Sequence, residues 1–346
     1  MAVNILKKYE ALNSKQIKDE QDRIQQLISN GEYPSIFKMP IVMQFELTAR
    51  CNVYCKHCYN DSGNNRADRM TPEKWIEFSR YLVEHGGIFE CILSGGEPLL
   101  LGNKLFDIMD TLHDDGTEFL LITNGYLLDK EKVNTLKKYD YRWLQVSIDG
   151  SESSYHDEFR QRQGSWEKAT NGAFLASSAG IPVTIAHSVS PYNLDKIDEM
   201  CELAYSLGAS SIMLGEINLS GRAAQNSDLL LNDEQREILL TKYEENSAKY
   251  AGRMIVQRSS STKHSVMRYL NTPNTGLIVR PNGDLRLDCM VPFVIGNVLE
   301  DDFHEIWCNK GINCWNDKKV LEYISKFKES DSNEMLTNYV DEDIHI

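Results

Sequence analysis

An α/β fold built on a parallel sheet follows from three features of this sequence. Six short apolar, β-branched runs alternate with stretches of helical period between residues 41 and 248, the pattern of repeated strand–helix units. Apolar residues make up 41% of the 346 and charged residues 25%, a globular balance that excludes disordered and fibrous classes. No apolar run approaches the roughly 18 residues of a membrane span, and Met1–Glu20 lacks an uninterrupted apolar core. Neither a span nor a signal peptide is therefore expected, and the chain reads as cytoplasmic. Its length allows two domains, or one large domain with an appendage, and a core that needs no disulfide staples.

Taken in order, residues 4–30 read as a polar helix with Ile5, Leu6, Tyr9, Leu12, Ile24, Leu27 and Ile28 on its apolar side. The strand runs are Ile41–Leu47, Phe89–Leu93, Phe119–Thr123, Trp143–Ile148, Pro182–Ser188 and Ser211–Ile217. Thr71-Pro72-Glu73 supplies a cap, a proline in the first turn and an early acid, and Trp75, Ile76 and Phe78 begin a buried helix face. Leu105, Ile108, Met109 and Leu112 recur at helical spacing, as do Leu194, Ile197, Met200, Cys201 and Ala204 ahead of the stop at Gly208. A sixth helix falls near 232–248. Six such units wind either into an open partial barrel or into a doubly wound sheet, and periodicity leaves both open.

Past residue 255 the pattern changes. Leu277–Val279 and Leu285–Leu287 flank Asn282-Gly283, the signature of a β-hairpin. Short helices are expected at Asp301–Trp307 and near 316–328, and an acidic, mobile tail from Glu329 to Ile346. Lys plus Arg number 37 against 51 Asp plus Glu, a net charge of −14 that repels phosphate backbones and tells against nucleic acid as a partner.

The eight cysteines are unevenly placed, and without a secretory signal they do not read as a disulfide framework. Cys91 and Cys201 sit on apolar faces as small hydrophobes. Cys51-Asn-Val-Tyr-Cys55-Lys-His-Cys58 follows directly on the first strand, so three thiolates can fold round one centre from one loop. Thiolates favour zinc or an iron–sulfur cluster; a structural zinc wants a fourth ligand, whereas three leave one iron of a cubane open. Ser94-Gly95-Gly96-Glu97-Pro98, Thr123-Asn124-Gly125 and Ser147-Ile148-Asp149-Gly150 end the second, third and fourth strands. Polar, glycine-rich ends of successive parallel strands are where such sheets build ligand sites.

These fragments, in this order, resemble the radical S-adenosylmethionine superfamily, over residues 40–250 and more weakly over 275–310. The resemblance implies a partial (β/α)6 TIM-type barrel. It also implies a 4Fe–4S cluster on Cys51, Cys55 and Cys58, with S-adenosylmethionine on the open iron. By the same resemblance Ser94, Gly95, Gly96, Glu97 and Pro98 would hold the methionyl amino end, with Asn124 beside them. Ser147 would meet the ribose in the segment that includes Asp149, Arg160 would pair with the methionyl carboxylate, and Gly221 would lie near the adenine. A surface ion pair is the plain alternative for Arg160. His187, near the end of the fifth strand, fits either the barrel mouth or a hydrogen-bonded core position.

Gly276–Cys289, Ile295–Val298 and Asp302–Trp307 resemble the SPASM/twitch extension of peptide-modifying members, with most of its cysteines missing. Only Cys289, Cys308 and Cys314 remain, so a second, auxiliary cluster is not expected. Ordinary thiols, ligands of one remnant cluster, and a hydrogen donor at Cys289 stay open as readings of the three. The expected organisation is a helical segment (1–40), the barrel (41–250), a degenerate SPASM/twitch-like subdomain with a hairpin and short helices (251–328) and the tail (329–346).

The implied activity is oxidoreductase chemistry: reductive cleavage of S-adenosylmethionine to a 5′-deoxyadenosyl radical that abstracts hydrogen from a substrate C–H. The SPASM-like tail points to maturation of a ribosomally made peptide, by epimerisation or by a thioether or carbon–carbon crosslink. The alternative is a dehydrogenation, decarboxylation or rearrangement of a sugar or amino acid derivative. A reductant such as flavodoxin or ferredoxin would be a partner. The segment before the first strand is too short for a winged-helix leader-binding domain, so a separate leader-peptide-binding protein would complete the system.

Overall fold

The computed structural model describes residues 5–63, 67–259, 262–326 and 343–346. The chain opens with helix α1 (Ile5–Ser29) and then enters the alternating region. There strand β1 (Val42–Glu46) leads through α2 (Pro72–Glu84) to β2 (Glu90–Ser94), α3 (Asn103–His113), β3 (Glu118–Thr123), α4 (Lys130–Leu136) and β4 (Tyr141–Ser147). Next come α5 (Ser153–Phe159), α6 (Ser165–Ser178), β5 (Val183–Val189), α7 (Ile197–Ser206), β6 (Ser211–Glu216), α8 (Asp233–Lys249) and β7 (Ile255–Arg258).

The local signals explain the starts of these helices. Thr71 accepts from the Lys74 amide and Pro72 stands in the first turn of α2, as the sequence predicts. Asn232 and Gln235 form a reciprocal capping box at α8. Each strand from β1 to β7 pairs in parallel with the next. That order never reverses. A doubly wound sheet reverses at a switch point, so this is barrel-type winding left open. β7 is a seventh strand, beyond the expected end of the barrel at residue 250.

The remaining elements do not stack as a separate layer. After α9 (Thr262–Met267), β8 (Gly276–Val279) pairs in parallel with the free edge of β1, Val42 opposite Gly276. β9 (Asp284–Arg286) and β10 (Phe293–Asn297) extend it antiparallel, and α10 (Phe303–Asn309) and α11 (Lys318–Ser325) follow. β11 (Ile344–His345) then pairs in parallel with β10, and among the described residues the sheet has eleven strands. Asp343–Ile346, expected within the mobile tail, are instead bound to the sheet; residues 327–342 of that tail lie outside the described residues. Among the described residues the main apolar core runs from Met43, Trp75 and Leu105 through to Trp307, Trp315 and Val320, and a smaller cluster gathers Phe159, Ile217, Ala223 and Leu229. α1 packs against α8 and α9 through Lys8 on Glu244 (2.6 Å) and Gln21 on the Met267 carbonyl (2.8 Å). Among the described residues no helix is long and apolar enough to cross a membrane.

Candidate active site

The loop that leaves β1 carries Cys51, Cys55 and Cys58, all free thiols. It is held from three sides. On one, the Gly95-Gly96 turn after β2 lies on it: Gly96 N donates to Thr48 O (2.6 Å) and Glu97 N to Arg50 O (3.0 Å). A Cβ on Gly96 would stand 2.0 Å from the Arg50 carbonyl oxygen, so the glycine is required by this close approach of two backbones. On the second side the end of α5 accepts two loop amides, Tyr54 N on Arg160 O (3.1 Å) and Lys56 N on Phe159 O (3.0 Å). On the third is Arg222. Its own amide donates to Cys58 O (2.9 Å), its Nε to Cys55 O (2.8 Å), and its Nη1 to Asp61 Oδ1 (2.8 Å) and Ser62 O (2.7 Å). The guanidinium also covers the Tyr54 ring at 3.7 Å.

The residues singled out in the sequence divide by what they touch. Ser94 takes a hydrogen bond from Gln44 Nε2 (2.9 Å) at the end of β2. Glu97 is fully buried: Oε1 accepts from Thr123 Oγ1 (2.7 Å) and the Leu99 amide (3.1 Å), Oε2 from the Asn124 amide (2.8 Å). It thereby ties the turn begun by Pro98 to the end of β3. Asn124 Nδ2 donates to Asn52 Oδ1 (2.7 Å) and lies 3.7 Å from Cys51 Sγ. Ser147 is half-buried at the end of β4, opposite Ala186. Asp149 is a hub: Oδ2 accepts from Arg160 Nε (2.8 Å) and Nη2 (2.7 Å), and Oδ1 from the Ser188 amide (2.8 Å). Arg160 is thus in a buried ion pair with Asp149. Gly221 packs under the cysteine loop, where a Cβ would meet the carbonyl oxygens of Cys58 and Tyr59 at 2.4 Å.

The electrostatics of this cluster follow from burial. Burial alone would raise the Asp149 carboxyl, yet Arg160 beside it holds it well below the usual carboxylate range. His57 stacks on Phe159 at 4.5 Å, and burial lowers its pKa to about 4. Burial pushes the Cys51 thiol up to about 11 and the Cys55 thiol up to about 12, with Cys58 adding to both. Cys55 is buried and Cys51 and Cys58 are half-buried, and three neighbouring thiols of this kind suit a cationic centre that would take them as thiolates. Among the described residues no trio of His, Cys, Asp and Glu stands close enough together to hold a single metal ion. Several buried polar atoms in and beside the loop have no hydrogen-bond partner, Asn52 Nδ2 and His187 Nε2 among them. His187 lines a cavity of about 160 Å³ with Gly150, Tyr155 and Asn193, at the ends of β4 and β5. His187 Nδ1 donates to the Ile148 carbonyl (3.2 Å), so Nε2 of the neutral ring is an acceptor, whereas Asn52 Nδ2 is a donor; open polar atoms of both kinds fit a polar ligand.

The three late cysteines have separate surroundings. Cys314 is buried and accepts from Asn274 Nδ2 at 3.3 Å; Cys308 is exposed on α10, 3.4 Å from His304 Nε2. Cys289 is half-buried, and burial, with Asp288 and Glu46 close by, pushes its thiol well above its ordinary range. Glu46 ends β1, and its Oε1 accepts from Tyr59 OH (3.2 Å), next to Cys58. Sequence reasoning missed Glu46, Tyr59, Asn52 and the role of Arg222 as a strut. The one available signal was Arg222 itself, a lone arginine after Ser220-Gly221.

Comparison with known proteins places these observations. The sequence model of the radical SAM superfamily matches residues 45–204. The chain is 28% identical over 279 residues to the antilisterial bacteriocin subtilosin biosynthesis protein AlbA of Bacillus subtilis, covering 78% of this chain and 60% of AlbA. It is 30% identical over 291 residues to the AdoMet-dependent heme synthase of Methanosarcina barkeri, covering 78% and 82%. The chain therefore spans less than two thirds of AlbA and most of the heme synthase. In fold it is similar to Streptococcus suis SuiB bound to S-adenosylmethionine, with a TM-score of 0.65 at 16% identity over 90% of this chain and 72% of SuiB.

Proposed function

This chain belongs to the radical S-adenosylmethionine superfamily and is a radical SAM enzyme, and from that premise we propose that it matures a ribosomally made peptide. Membership implies a 4Fe–4S cluster and S-adenosylmethionine. The chemistry these groups supply when bound is reductive cleavage of the cosubstrate and removal of hydrogen from a substrate C–H.

On this reading Cys51, Cys55 and Cys58 hold the cluster, and a second, auxiliary cluster is absent. Arg222, Gly96 and the α5 carbonyls fix the loop before any ligand arrives, which is the preorganisation a reactive centre needs. Asn124 and Asn52 present amide donors beside Cys51, while His187 and Gly150 line the space for the nucleoside part. Arg160 and Asp149 act as a neutralised pair that keeps this wall rigid and dry.

The observation that carries the peptide reading is likeness to a bacteriocin biosynthesis protein, joined to the placement of Cys289 near Glu46 and Tyr59. There Cys289 is the hydrogen donor to a substrate carbon radical. Its S–H bond breaks, a C–H bond forms on the opposite face, and the sulfur radical regains an electron from the external reductant and a proton from solvent. The outcome is epimerisation. A second reading, a small-molecule substrate, is favoured by the 30% identity to a heme synthase of which the chain covers 82%.

The test is anaerobic reconstitution followed by an iron count, 5′-deoxyadenosine measurement and mass spectrometry of a candidate precursor peptide in heavy water. About four irons per chain, deoxyadenosine and one deuterium in the peptide are expected. In Cys289→Ala, deoxyadenosine should persist while deuterium incorporation falls at least about a hundredfold, the scale of losing a positioned donor. Normal product from Cys289→Ala removes the donor role, and a peptide that loses two hydrogens replaces epimerisation with a crosslink. About eight irons would restore an auxiliary cluster. Turnover of small molecules but no peptide would select the second reading.

A further inference from the structure

The outer edge of β10 is built as a receptor. Its occupant is the last four residues of the sequence, which dock as a ligand would. Ile344 N donates to Pro292 O (2.6 Å) and Ile346 N to Val294 O (3.0 Å), strand bonds that read no sequence. The Asp343 carboxylate enters a pocket between Arg280, with which it pairs, and Arg286 Nη1 at 3.9 Å. Both arginines are almost fully buried, at 3% and 1% exposure. Lys310 Nζ donates to Ile346 O (2.8 Å), Lys319 Nζ to His345 O (3.3 Å), and the Ile346 side chain rests on the rim of the core.

Two features make this an exchangeable site. Among the described residues the pairing is two residues long, short of the roughly five or six of an ordinary strand, so the backbone bonds of Ile344–Ile346 hold this segment weakly. The buried guanidinium pair, by contrast, belongs to the receptor and favours an anion whichever chain supplies it. We propose that the β10 edge with Arg280 and Arg286 is a docking site for an extended peptide bearing an acidic side chain ahead of an apolar one. Asp343–Ile346 fills that site in cis and competes with such a peptide presented in trans. Arg280 also faces Glu46 Oε2 at 3.9 Å, so whatever occupies the pocket is felt at the end of β1, where Glu46 holds Tyr59. This proposal concerns binding alone and stands whichever reaction the chain performs.

The test uses the full chain carrying Asp343→Lys and Ile344→Pro, which reverse the charge of the cis segment and remove its first strand amide, leaving the receptor untouched. A fluorescent peptide copying residues 341–346 is titrated against this variant and the unaltered chain by anisotropy. The variant should bind at least about tenfold more tightly, because the cis competitor acts at millimolar effective concentration. A peptide with lysine in place of Asp343 should bind at least about tenfold more weakly than the parent. Equal affinity for both chains, or indifference to the lysine, overturns the proposal. A circular dichroism melt checks that the variant folds. If it does not, the unaltered chain decides: excess unlabelled peptide should speed hydrogen exchange at the Ile344 and Ile346 amides, and no change there refutes exchange.

Discussion

Arg222 concentrates more of the site in one side chain than any residue chosen from the sequence. It is 6% exposed, yet its guanidinium meets two main-chain carbonyls, a carboxylate and an aromatic face, all on the cysteine loop. Removing it leaves the Cys55 and Ser62 carbonyls buried without their donor, at about 1–3 kcal/mol each. Arg222→Ala should therefore cost on the order of 2–4 kcal/mol in a melt of the metal-free chain, and should lower the iron retained after gel filtration. Arg222→Lys restores charge without the planar fork and should recover only part of both. Arg50→Ala is the control, since its side chain is 62% exposed in a surface pair with Asp68 and should change stability by less than about 1 kcal/mol. Should the two alanine variants behave alike, Arg222 is no strut. At this scale the sequence reveals the thiols, because three cysteines at short spacing have few other uses. It cannot reveal that Arg160 faces Asp149, since eleven residues of separation say nothing of which way a guanidinium turns.

Elements were legible where they rest on local chemistry. The six apolar runs and the Asn282-Gly283 hairpin lie within a residue or two of the strands they predict, because alternation and turn residues act over a few positions. β7 escaped notice because it has only Ile255 and Val256 before the polar Gln257 and Arg258, too short a run to show a period. β11 is two residues long and owes its form to β10, which no local pattern encodes. The join of β8 to β1 is likewise non-local, but it left one trace, Gly276. A Cβ there would lie 2.0 Å from the Val42 carbonyl oxygen. Gly276→Ala should force β8 off β1 and destabilise the chain by about 2–3 kcal/mol or more. Gly116→Ala, with open space but φ of +89°, should cost only about 1–2 kcal/mol. Thermal melts of the two decide; if Gly276→Ala is the milder, the close approach at the β1–β8 seam is not what requires glycine.

That seam decides how the whole molecule unfolds. An appended subdomain ordinarily meets its neighbour through a modest surface and can melt alone. Here β8 continues the sheet through main-chain bonds to β1, and the core runs unbroken from Trp75 to Trp307 and Trp315. Trp75 donates to the Leu47 carbonyl at 3.0 Å inside the barrel, and Trp307 donates to the Phe37 carbonyl at 2.9 Å, tying α10 to the segment ahead of β1. Losing β8–β11 would strip one edge from β1, the strand that delivers the cysteine loop, so the late region cannot open without disturbing the early one. Denaturant unfolding of the metal-free chain should then be one transition. Two variants test it: Trp307→Phe with Trp315→Phe reports only the early region, and Trp75→Phe with Trp143→Phe and Trp166→Phe only the late one. Their fluorescence midpoints should each coincide with the circular dichroism midpoint of the same variant. A late-region signal lost at lower denaturant than the backbone signal would mean that β8–β11 is an independent unit and the seam a contact between domains. The cysteine loop would then keep its shape without it.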